Sequence, residues 1–411
     1  MNPQHPIETV IRRRLCAGCG ACAHIGRQQG VIMLDIPSVG RRPVGVESLP
    51  PDLKDELIAA CPGARVTAPP WEHGPDPDEV LIGPTKQIWE GWASDPELRW
   101  AASSGGVVSA LATWALEARD MALVVHTGMD PDRPWLNRTV VSTDRAALIA
   151  NSGSRYTPSS PVEALQAIEE SDRPCVFIGK PCDVAAVAAM RRTRPALDRN
   201  LGLVLSFFCA GTPASAASRQ LSGELGFTDP GAIAELRYRG RGWPGDFSVK
   251  DDDGRSRSLS YEESWGRLAS RQRQLRCTLC PDGLGELADV TGGDAWHRKS
   301  EGGPGISLIL ARTDRGREAV LTAVADGYLQ VSPSDPHKVV AAQGLVRRRK
   351  LVLARSMALR TLLLPTPSFP GFRLTAAALQ AGIGAQLKEY AGMLKRALAR
   401  NYRRPEPRED S

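Results

Sequence analysis

The sequence predicts an α+β/α/β protein with a small cysteine-rich head, an α/β region and a helical, basic C-terminal tail. Cysteines are concentrated in short motifs, and strand-like apolar runs alternate with amphipathic runs after about residue 85. Such alternation is typical of α/β layers. We expect a head at residues 1–66, a linker at 67–84, an N-terminal α/β domain at 85–165, a C-terminal α/β domain at 166–345 and a tail at 346–411.

The head contains the run LCAGCGACAHIG, in which Cys16, Cys19 and Cys22 stand at three-residue intervals. Bacterial ferredoxins bind [4Fe-4S] clusters through such a run, with a fourth cysteine shortly after it. That position is Gly26 here, so we assign the fourth ligand to Cys61 in AACPGA. Zinc is the alternative, but zinc sites favour separated Cys-x-x-Cys pairs. The spacing therefore predicts a ferredoxin-like head with one [4Fe-4S] cluster.

Residues 67–84 are expected to be a linker. The stretch VTAPPWEHGPDPDEVLIGP contains five prolines and several acids, a composition that argues against packed structure. After it, QIWEGWAS predicts a strand, and SSGGVVSALATWALEARD predicts a turn and an amphipathic helix with Val107, Leu111 and Ala115 on one face. The run MALVVHTG then predicts the next strand.

The start of this helix is a candidate phosphate site. Ser103, Ser104, Gly105 and Gly106 lead into it, and a helix N-terminus offers unpaired N–H groups and a positive dipole end to a phosphate. Serine is also an ordinary helix cap, so the sequence motif is equally compatible with a structural role.

The C-terminal α/β domain continues the alternation. The runs PCVFIGKPCDVAAVAAMRR and LGLVLSFFCAGTPASAASRQL each predict a strand, a turn and a helix, and ISLILART predicts a further strand. Cys182, Cys209, Cys277 and Cys280 stand at predicted turns, which predicts a four-thiolate site that would suit either zinc or an iron–sulfur cluster. Cys175 lies inside a predicted strand and is expected to be a buried core residue.

The motifs occur in an order that resembles a known protein family. From the head onward they are CAGCGACA, AACPG, SSGGVVSAL, GSRYTPSS, GKPCD, FFCAGTP, YRGRGWPG, CTLCPDGLGELADVTGGDAW and GISLILART. From Cys16 to about Thr313 the chain resembles the beta subunits of coenzyme F420 hydrogenase and dehydrogenase, where F420 is a deazaflavin. The resemblance extends to the bacterial and plant relatives that reduce chlorophyll intermediates with ferredoxin.

The resemblance implies a non-covalently bound FAD, a [4Fe-4S] cluster in the head and, as in the reductase branch, a second [4Fe-4S] cluster. By matching motifs, the ligands of the second cluster would be Cys182, Cys209, Cys277 and Cys280. Ferredoxin or a redox partner subunit would supply electrons, and FAD would pass them to a small organic acceptor.

Further residues are candidates for contact with the flavin or the substrate. Lys180 follows a predicted strand at its carboxyl end, where α/β sheets place ligands, and it is the expected catalytic residue; a turn residue is its alternative role. Asp289 and Asp294 are candidates for a ribityl contact or for turn formation. Glycine-flanked residues are expected to bind FAD or an acidic substrate, unless they only form turns: Ser154, Arg155, Tyr156, Arg239 and Arg241.

The net charge is +6, and much of the excess lies in RRRK at residues 347–350 and in KRALARNYRR near the end. These cations form either a solvated helix face or a docking patch for an acidic partner such as ferredoxin. Only 5% of residues are aromatic and no recognition motif is present, which argues against nucleic-acid binding. Without a signal sequence or an apolar run of about 18 residues, we expect a cytoplasmic protein with no transmembrane segment.

These observations favour an FAD- and iron–sulfur-dependent oxidoreductase. It would pass electrons from ferredoxin through [4Fe-4S] clusters to FAD, and then to the deazaflavin coenzyme or a conjugated, chlorophyll-like substrate. The alternative is a non-catalytic electron-relay subunit of a larger oxidoreductase complex, which would contain clusters without flavin. A third interpretation, a zinc-stabilised binding protein, predicts a colourless preparation.

Overall fold

The strands of the computed structural model form three sheets within the described residues, which are 5–301 and 303–407. The strands are β1 (Ile32–Ile36), β2 (Gly40–Val44), β3 (Gln87–Ala93), β4 (Val124–Met129), β5 (Asn137–Ser142), β6 (Cys175–Gly179), β7 (Leu201–Phe207), β8 (Ile233–Arg237), β9 (Phe247–Asp251), β10 (Ser256–Leu259), β11 (Val290–Asp294), β12 (Ser307–Ala311) and β13 (Leu329–Pro333). The predicted strands QIWEGWAS, MALVVHTG and ISLILART are confirmed as β3, β4 and β12.

Helices follow most of these strands, as the sequence alternation predicts. The α-helices are α1 (Pro6–Arg12), α2 (Ala21–Ile25), α3 (Pro51–Ala60), α4 (Pro77–Ile82), α5 (Pro96–Ala101), α6 (Val107–Ala118), α7 (Arg145–Ala150), α8 (Gln166–Glu169), α9 (Pro181–Met190), α10 (Pro195–Asn200), α11 (Ser215–Glu224), α12 (Tyr261–Arg271), α13 (Leu275–Thr278), α14 (Asp314–Ala325), α15 (Pro336–Ala342), α16 (Val352–Thr361), α17 (Leu374–Leu379) and α18 (Gly382–Ala399). Within residues 5–301 and 303–407, no helix combines the length and the apolar character needed to cross a bilayer.

The largest sheet contains eight of the described strands in the order β13-β3-β12-β11-β7-β6-β4-β5. Its centre is parallel, because β11 pairs with β7, β7 with β6, and β6 with β4 in the same direction. Antiparallel strands extend the sheet on both sides. The carboxyl ends of the parallel strands therefore meet at one edge, the edge at which α/β sheets bind ligands.

Both faces of this sheet are covered by packed elements. Val176 of β6 points into one apolar cluster and the next residue, Phe177, into the cluster on the opposite face, as the two-residue period of a strand requires. Helix α6 covers the first of these faces with Val107, Leu111 and Ala115, all of them almost fully buried. The amphipathic pattern predicted for this helix is confirmed.

The head packs directly on the second face. It contains the antiparallel hairpin of β1 and β2 and the helices α1, α2 and α3. Ile25 and Leu57 of the head share one buried apolar cluster with Phe177 of β6 and Val184 of α9. The head and the large sheet therefore have a continuous core at this face.

The expectation that residues 67–84 lack packed structure is wrong for part of the stretch. Residues 77–82 form α4, and Asp76 and Glu79 close a capping box at its N-terminus. Pro77 occupies the first helical turn, where a missing N–H costs nothing, so the prolines and acids of this run start a helix. Val80 and Ile82 are buried in an apolar cluster with strands of the large sheet.

The C-terminal region is helical, as expected, but its basic segments are partly buried. A 3-10 helix at Gly344–Leu351 precedes α16 and contains Arg349, which is 1% exposed. Arg349 pairs with the buried Glu286 and donates hydrogen bonds to the Phe372 carbonyl oxygen at 3.2 and 2.7 Å. Burial raises the pKa of Glu286 to about 7 despite this arginine. The pair joins the tail to the α/β region.

We predict that Arg349→Met destabilises the protein strongly. The change would leave the Glu286 carboxyl group buried without its partner, at a cost of about 3–5 kcal/mol in unfolding free energy. Arg347→Met is the matched control, because Arg347 is exposed and two residues away. Urea unfolding followed by circular dichroism measures both, and equal stability of the two variants would contradict a structural role for the pair.

Candidate functional site

A large cavity opens at the carboxyl edge of the parallel strands. Its empty volume is about 1470 Å³, a value that includes the open solvent at its mouth. Strand residues such as Ile178, Phe207 and Gly293 form its floor. The structure brings most of the predicted site residues to this cavity: Ser103, Ser104, Gly106, Ser154, Arg155, Tyr156, Lys180, Arg239 and Asp294.

The N-terminus of α6 faces the cavity. Gly106 precedes it with a φ of 76°, a left-handed conformation that suits glycine, and no side chain of the described residues caps the helix. The first-turn residues Val107, Val108 and Ser109 line the cavity, so their N–H groups are the free donors of an uncapped helix start. This arrangement can hold a phosphate.

Gly105 has a structural role that the sequence did not reveal. A Cβ atom there would lie 2.6 Å from the Gly91 carbonyl oxygen and 2.9 Å from the Ser307 backbone nitrogen. The Gly105 N–H group donates to Ser307 Oγ at 2.9 Å, and the residue does not line the cavity. The glycine therefore allows the loop before α6 to lie directly on β3 and β12.

Lys180 is buried at the end of β6 and its ammonium group is fully engaged. Its Nζ donates to Asp183 Oδ2 at 2.7 Å, to Ser159 Oγ at 2.7 Å and to the Ser159 carbonyl oxygen at 3.1 Å. Burial opposes the charged form, but Asp183 and Cys182 outweigh it and raise the pKa of Lys180. With all three N–H bonds used, the lysine is a fixed positive charge beside the cavity.

Arg239 supports the aromatic wall of the cavity. It forms a bidentate pair with Asp294 at 2.7 and 2.6 Å, and its guanidinium lies 4.9 Å from the Tyr261 ring centre and 5.2 Å from that of Trp296. Burial opposes its charge, but Asp294 raises the pKa of Arg239. The Tyr261 and Trp296 rings are stacked, with centres 5.1 Å apart. The pair fixes this wall.

The other predicted polar residues have different surroundings. Arg155 lines the cavity, but its guanidinium donates to the carbonyl oxygens of Leu236 and Leu136 at 3.0 and 3.1 Å. Arg241 is exposed, pairs with Glu235 and lies outside the cavity lining. Asp289 lies just before β11, at the opposite edge of the sheet, where it accepts the Val204 N–H and pairs with Arg315.

Several cavity residues have no recognisable motif. Tyr261 and Trp265 lie on α12, and His126 lies on β4. The run YEESW of α12 contains no ligand-binding motif, and the histidines form no ligand pair in the sequence. Burial lowers the pKa of His126 to about 4, so the ring is neutral near pH 7, and its Nε2 is 2.7 Å from Ser142 Oγ.

The later cysteines line a smaller cavity beside the large one. Cys182 follows β6, Cys209 follows β7, and Cys277 and Cys280 belong to the α13 turn; all of them contribute to the lining. The two cavities share Cys209 and neighbouring residues. The structure therefore brings the predicted second set together and places it next to the large cavity.

Buried thiols and unpaired cations surround this smaller cavity. Burial raises the pKa of Cys182 and raises that of Cys209 to about 12. These thiols therefore become thiolates near pH 7 only when a bound cation stabilises the negative charge. Arg348 lines the cavity, and burial lowers its pKa to about 10. Neither Arg348 nor the nearby Arg273 has an ion pair among the residues that the structure describes. A metal–thiolate group with net negative charge would match these arginines.

The head cysteines also lie near one another, with Cys16 and Cys19 buried and Cys22 and Cys61 half-buried. Burial raises the pKa of Cys22, and the neighbouring Cys61, Cys16 and Cys19 raise it further. The loop between them passes close to the α/β region, since a Cβ atom at Gly20 would lie 2.6 Å from the Ser160 carbonyl oxygen. The small residues of this motif therefore permit a close backbone approach.

Both cysteine sets consist of free thiols. Over residues 5–301 and 303–407, no group of three or more His, Cys, Asp or Glu side chains is placed to hold a metal ion. A zinc ion needs every ligand within about 2.3 Å of one point, whereas a cubane offers each thiolate an iron of its own. Four thiols that line one cavity are a donor set that either group could use.

Two family models match the α/β region. The model for the N-terminal part of the beta subunit of coenzyme F420 hydrogenase/dehydrogenase matches residues 88–166, and the model for its C terminus matches residues 172–337. The chain belongs to the coenzyme F420 hydrogenase/dehydrogenase beta subunit family. This confirms the resemblance seen in the motifs, and it identifies an oxidoreductase family. The head and the tail lie outside the matched ranges.

Curated relatives are beta subunits of the same family. The chain is 25% identical over 303 residues to the coenzyme F420 hydrogenase beta subunit of Methanothermobacter thermautotrophicus, covering 70% of this chain and all of the relative. It is 24% identical over 269 residues to that of Methanosarcina barkeri, covering 63% of this chain and 84% of the relative.

The fold is also known from a solved complex. A chain of the F420-reducing [NiFe] hydrogenase complex of Methanosarcina barkeri superposes with a TM-score of 0.50 at 21% identity, covering 64% of this chain and 85% of that one. At this identity the similarity establishes the fold of this beta subunit family member, which agrees with the predicted α/β region.

We predict that Cys182 and Cys175 respond differently to replacement by serine. Cys175 is fully buried in β6 and its thiol lies 3.4 Å from the Arg173 carbonyl oxygen, whereas Cys182 faces the smaller cavity. Wild-type protein should contain about eight irons in two cubane clusters. Cys182→Ser should lose or convert the later cluster and keep the head cluster, while Cys175→Ser keeps all the iron.

Iron and sulfide assays with low-temperature electron paramagnetic resonance measure this difference. Loss of the later cluster in Cys175→Ser, together with its retention in Cys182→Ser, would reverse the assignment. About four irons and one zinc per chain in wild-type protein would mean that the head binds a cluster and that the later cysteines bind zinc.

Proposed function

We propose that this chain is an iron–sulfur flavoprotein oxidoreductase. It passes electrons from ferredoxin, or from a redox partner subunit, through two [4Fe-4S] clusters to FAD and on to coenzyme F420 or another conjugated organic acceptor. The contiguity of the head cysteine loop, the later cysteine set and the large cavity is the observation that carries this proposal.

Contacts between the head and the later cysteines support this order. Ala17, between Cys16 and Cys19, lines the cavity of the later set. Arg276, which is buried, donates to the Pro62 carbonyl oxygen at 3.1 and 2.8 Å, and Cys280 raises its pKa against the effect of burial. One arginine therefore bridges the head loop that contains Cys61 and the later set.

The large cavity supports FAD as the group beside the later set. Its lining extends from the start of α6 to Tyr261 and Trp296, and the uncapped start of α6 would bind the pyrophosphate through first-turn N–H groups. Lys180 lines the same cavity in a fixed position, ion-paired with Asp183, and is the candidate catalytic residue beside the ring system. When bound, FAD converts single electrons from clusters into electron pairs.

The aromatic wall supports a planar acceptor. Tyr261, Trp296 and Trp265 line the cavity, and aromatic faces attract conjugated rings through offset stacking. The curated relatives are named for coenzyme F420, a deazaflavin, which makes that coenzyme the first acceptor to test. The neutral His126 on the cavity wall adds no charge near the rings.

A relay subunit is the second candidate function. The solved relative is a chain of a hydrogenase complex, so a role limited to electron transfer between subunits has structural support. Flavin separates the two candidates, because a relay needs clusters alone, whereas reduction of an organic acceptor needs a two-electron group.

We predict that Ser109→Asp lowers the flavin content several-fold. The Ser109→Asn variant, whose new side chain has the size of aspartate but no charge, should retain the flavin. Ser109 lies in the first turn of α6 and lines the cavity. An aspartate there is compatible with the helix dipole, so the helix stays folded, but its charge repels a phosphate. Anaerobic purification with flavin and iron analysis measures both variants. Equal flavin content would show that the pyrophosphate lies elsewhere.

We predict that the chain, once reduced by dithionite, reduces coenzyme F420 without any partner subunit. Loss of the F420 absorbance in an anaerobic mixing experiment reports the reaction. Ser109→Asp protein, with its clusters intact, should lose most of this activity because the flavin is absent. Undiminished activity of that variant would contradict the role given to the flavin. No activity of flavin-loaded wild-type protein with F420 or any conjugated acceptor would favour the relay function.

A further inference from the structure

Two basic segments that are far apart in the sequence meet on the surface of the head. The Arg13 guanidinium donates to the Arg403 carbonyl oxygen at 2.6 Å, and the Glu406 N–H donates to the Arg12 carbonyl oxygen at 2.9 Å. The Arg14 guanidinium lies 5.8 Å from the Tyr402 ring centre. The contacts create a basic face, which consists of Arg12, Arg13, Arg14, Arg400, Arg403 and Arg404.

The described acidic groups leave the outer part of this face positive. Arg400, Arg403 and Arg404 are exposed, and none of them has an ion pair within the described part of the chain. The nearest carboxylate in the sequence is Glu406, which turns inward and forms a bidentate pair with the buried Arg42 at 2.6 and 2.9 Å. That carboxylate therefore neutralises a buried charge.

The segments of the basic face and the head cysteines lie against one apolar cluster. Tyr402, Leu15 and Cys61 belong to one apolar cluster, and Leu15 directly precedes Cys16. The loop after Cys61 is packed tightly there, since a Cβ atom at Gly63 would lie 2.4 Å from the Leu15 carbonyl oxygen. Through Tyr402, the segment that contains Arg400, Arg403 and Arg404 therefore packs on the same cluster as the cysteine loop.

We infer that the basic face is the docking surface for an acidic electron-donor protein. The inference rests on the proposed function, and it assigns the place at which electrons enter the chain. An acidic rim around the donor's own redox centre would be steered to these arginines, and docking there would bring that centre close to the head cluster. Electron transfer needs short distances, so charge complementarity directly over the cysteine loop selects this surface.

The test uses stopped-flow reduction of the full chain by a reduced, acidic two-cluster ferredoxin. The variant Arg400→Glu, Arg403→Glu and Arg404→Glu should lower the second-order rate constant at low ionic strength at least about tenfold. It should also remove most of the fall in rate with added salt. The matched control changes three exposed arginines of the α/β region to glutamate, namely Arg119, Arg257 and Arg317. Its rate constant should stay within about twofold of the wild-type value.

Each outcome bears on the inference. An unchanged rate in the first variant, or an equal loss in both variants, overturns it, because the second result would mean that net charge alone steers the donor. If excess dithionite reduces the variant to the wild-type spectrum, the variant is folded and contains its cofactors. If it does not, the corresponding triple glutamine variant is used, and a partial loss of the rate constant is expected. Wild-type protein that dithionite reduces and ferredoxin does not also overturns the inference but leaves the proposed cluster and flavin contents standing. Absence of cluster and flavin signals overturns the proposed function itself.

Discussion

The parallel arrangement of β11, β7, β6 and β4 is the constraint on which the rest of the site depends. Parallel neighbours must end at the same edge of a sheet, so the turns after β6 and β7 lie side by side although they are distant in sequence. Cys182 and Cys209 follow these strands, and the large cavity opens at the same edge. The cavity and the clustered thiols therefore share one geometric origin.

Charge burial organises this edge further. Lys180 and Asp183, like Arg239 and Asp294, are buried pairs with several hydrogen bonds, and breaking either would leave a charge without a partner. Such pairs hold their side chains in one orientation, which suits a site that must present fixed charge and rigid aromatic faces. Around the smaller cavity the balance differs, because Arg348 faces thiols and has no acidic partner within the described residues.

Local patterns in the sequence were sufficient for the elements and for much of the site. The alternating runs predicted β3, β4 and β12, the amphipathic face of α6 is buried as expected, and Cys175 lies in the core. The cysteine motifs identified the second thiol set, which the structure gathers around one cavity. Residues 67–84 were misjudged because proline and acids break structure in most contexts, yet at a helix start they supply a suitable backbone angle and a cap.

The sequence by itself determined the cysteine spacing, the strand and helix periods and the basic character of the C-terminal region, since each is a property of neighbouring residues. Only the tertiary structure decided which polar groups face the cavity, because that depends on partners from distant segments. Arg241 turns to Glu235 on the surface, Asp289 ties the opposite edge of the sheet, and Gly105 serves backbone packing. The burial of Arg349 against Glu286 and the meeting of the two basic segments over the head likewise follow from long-range packing, which local pattern does not encode.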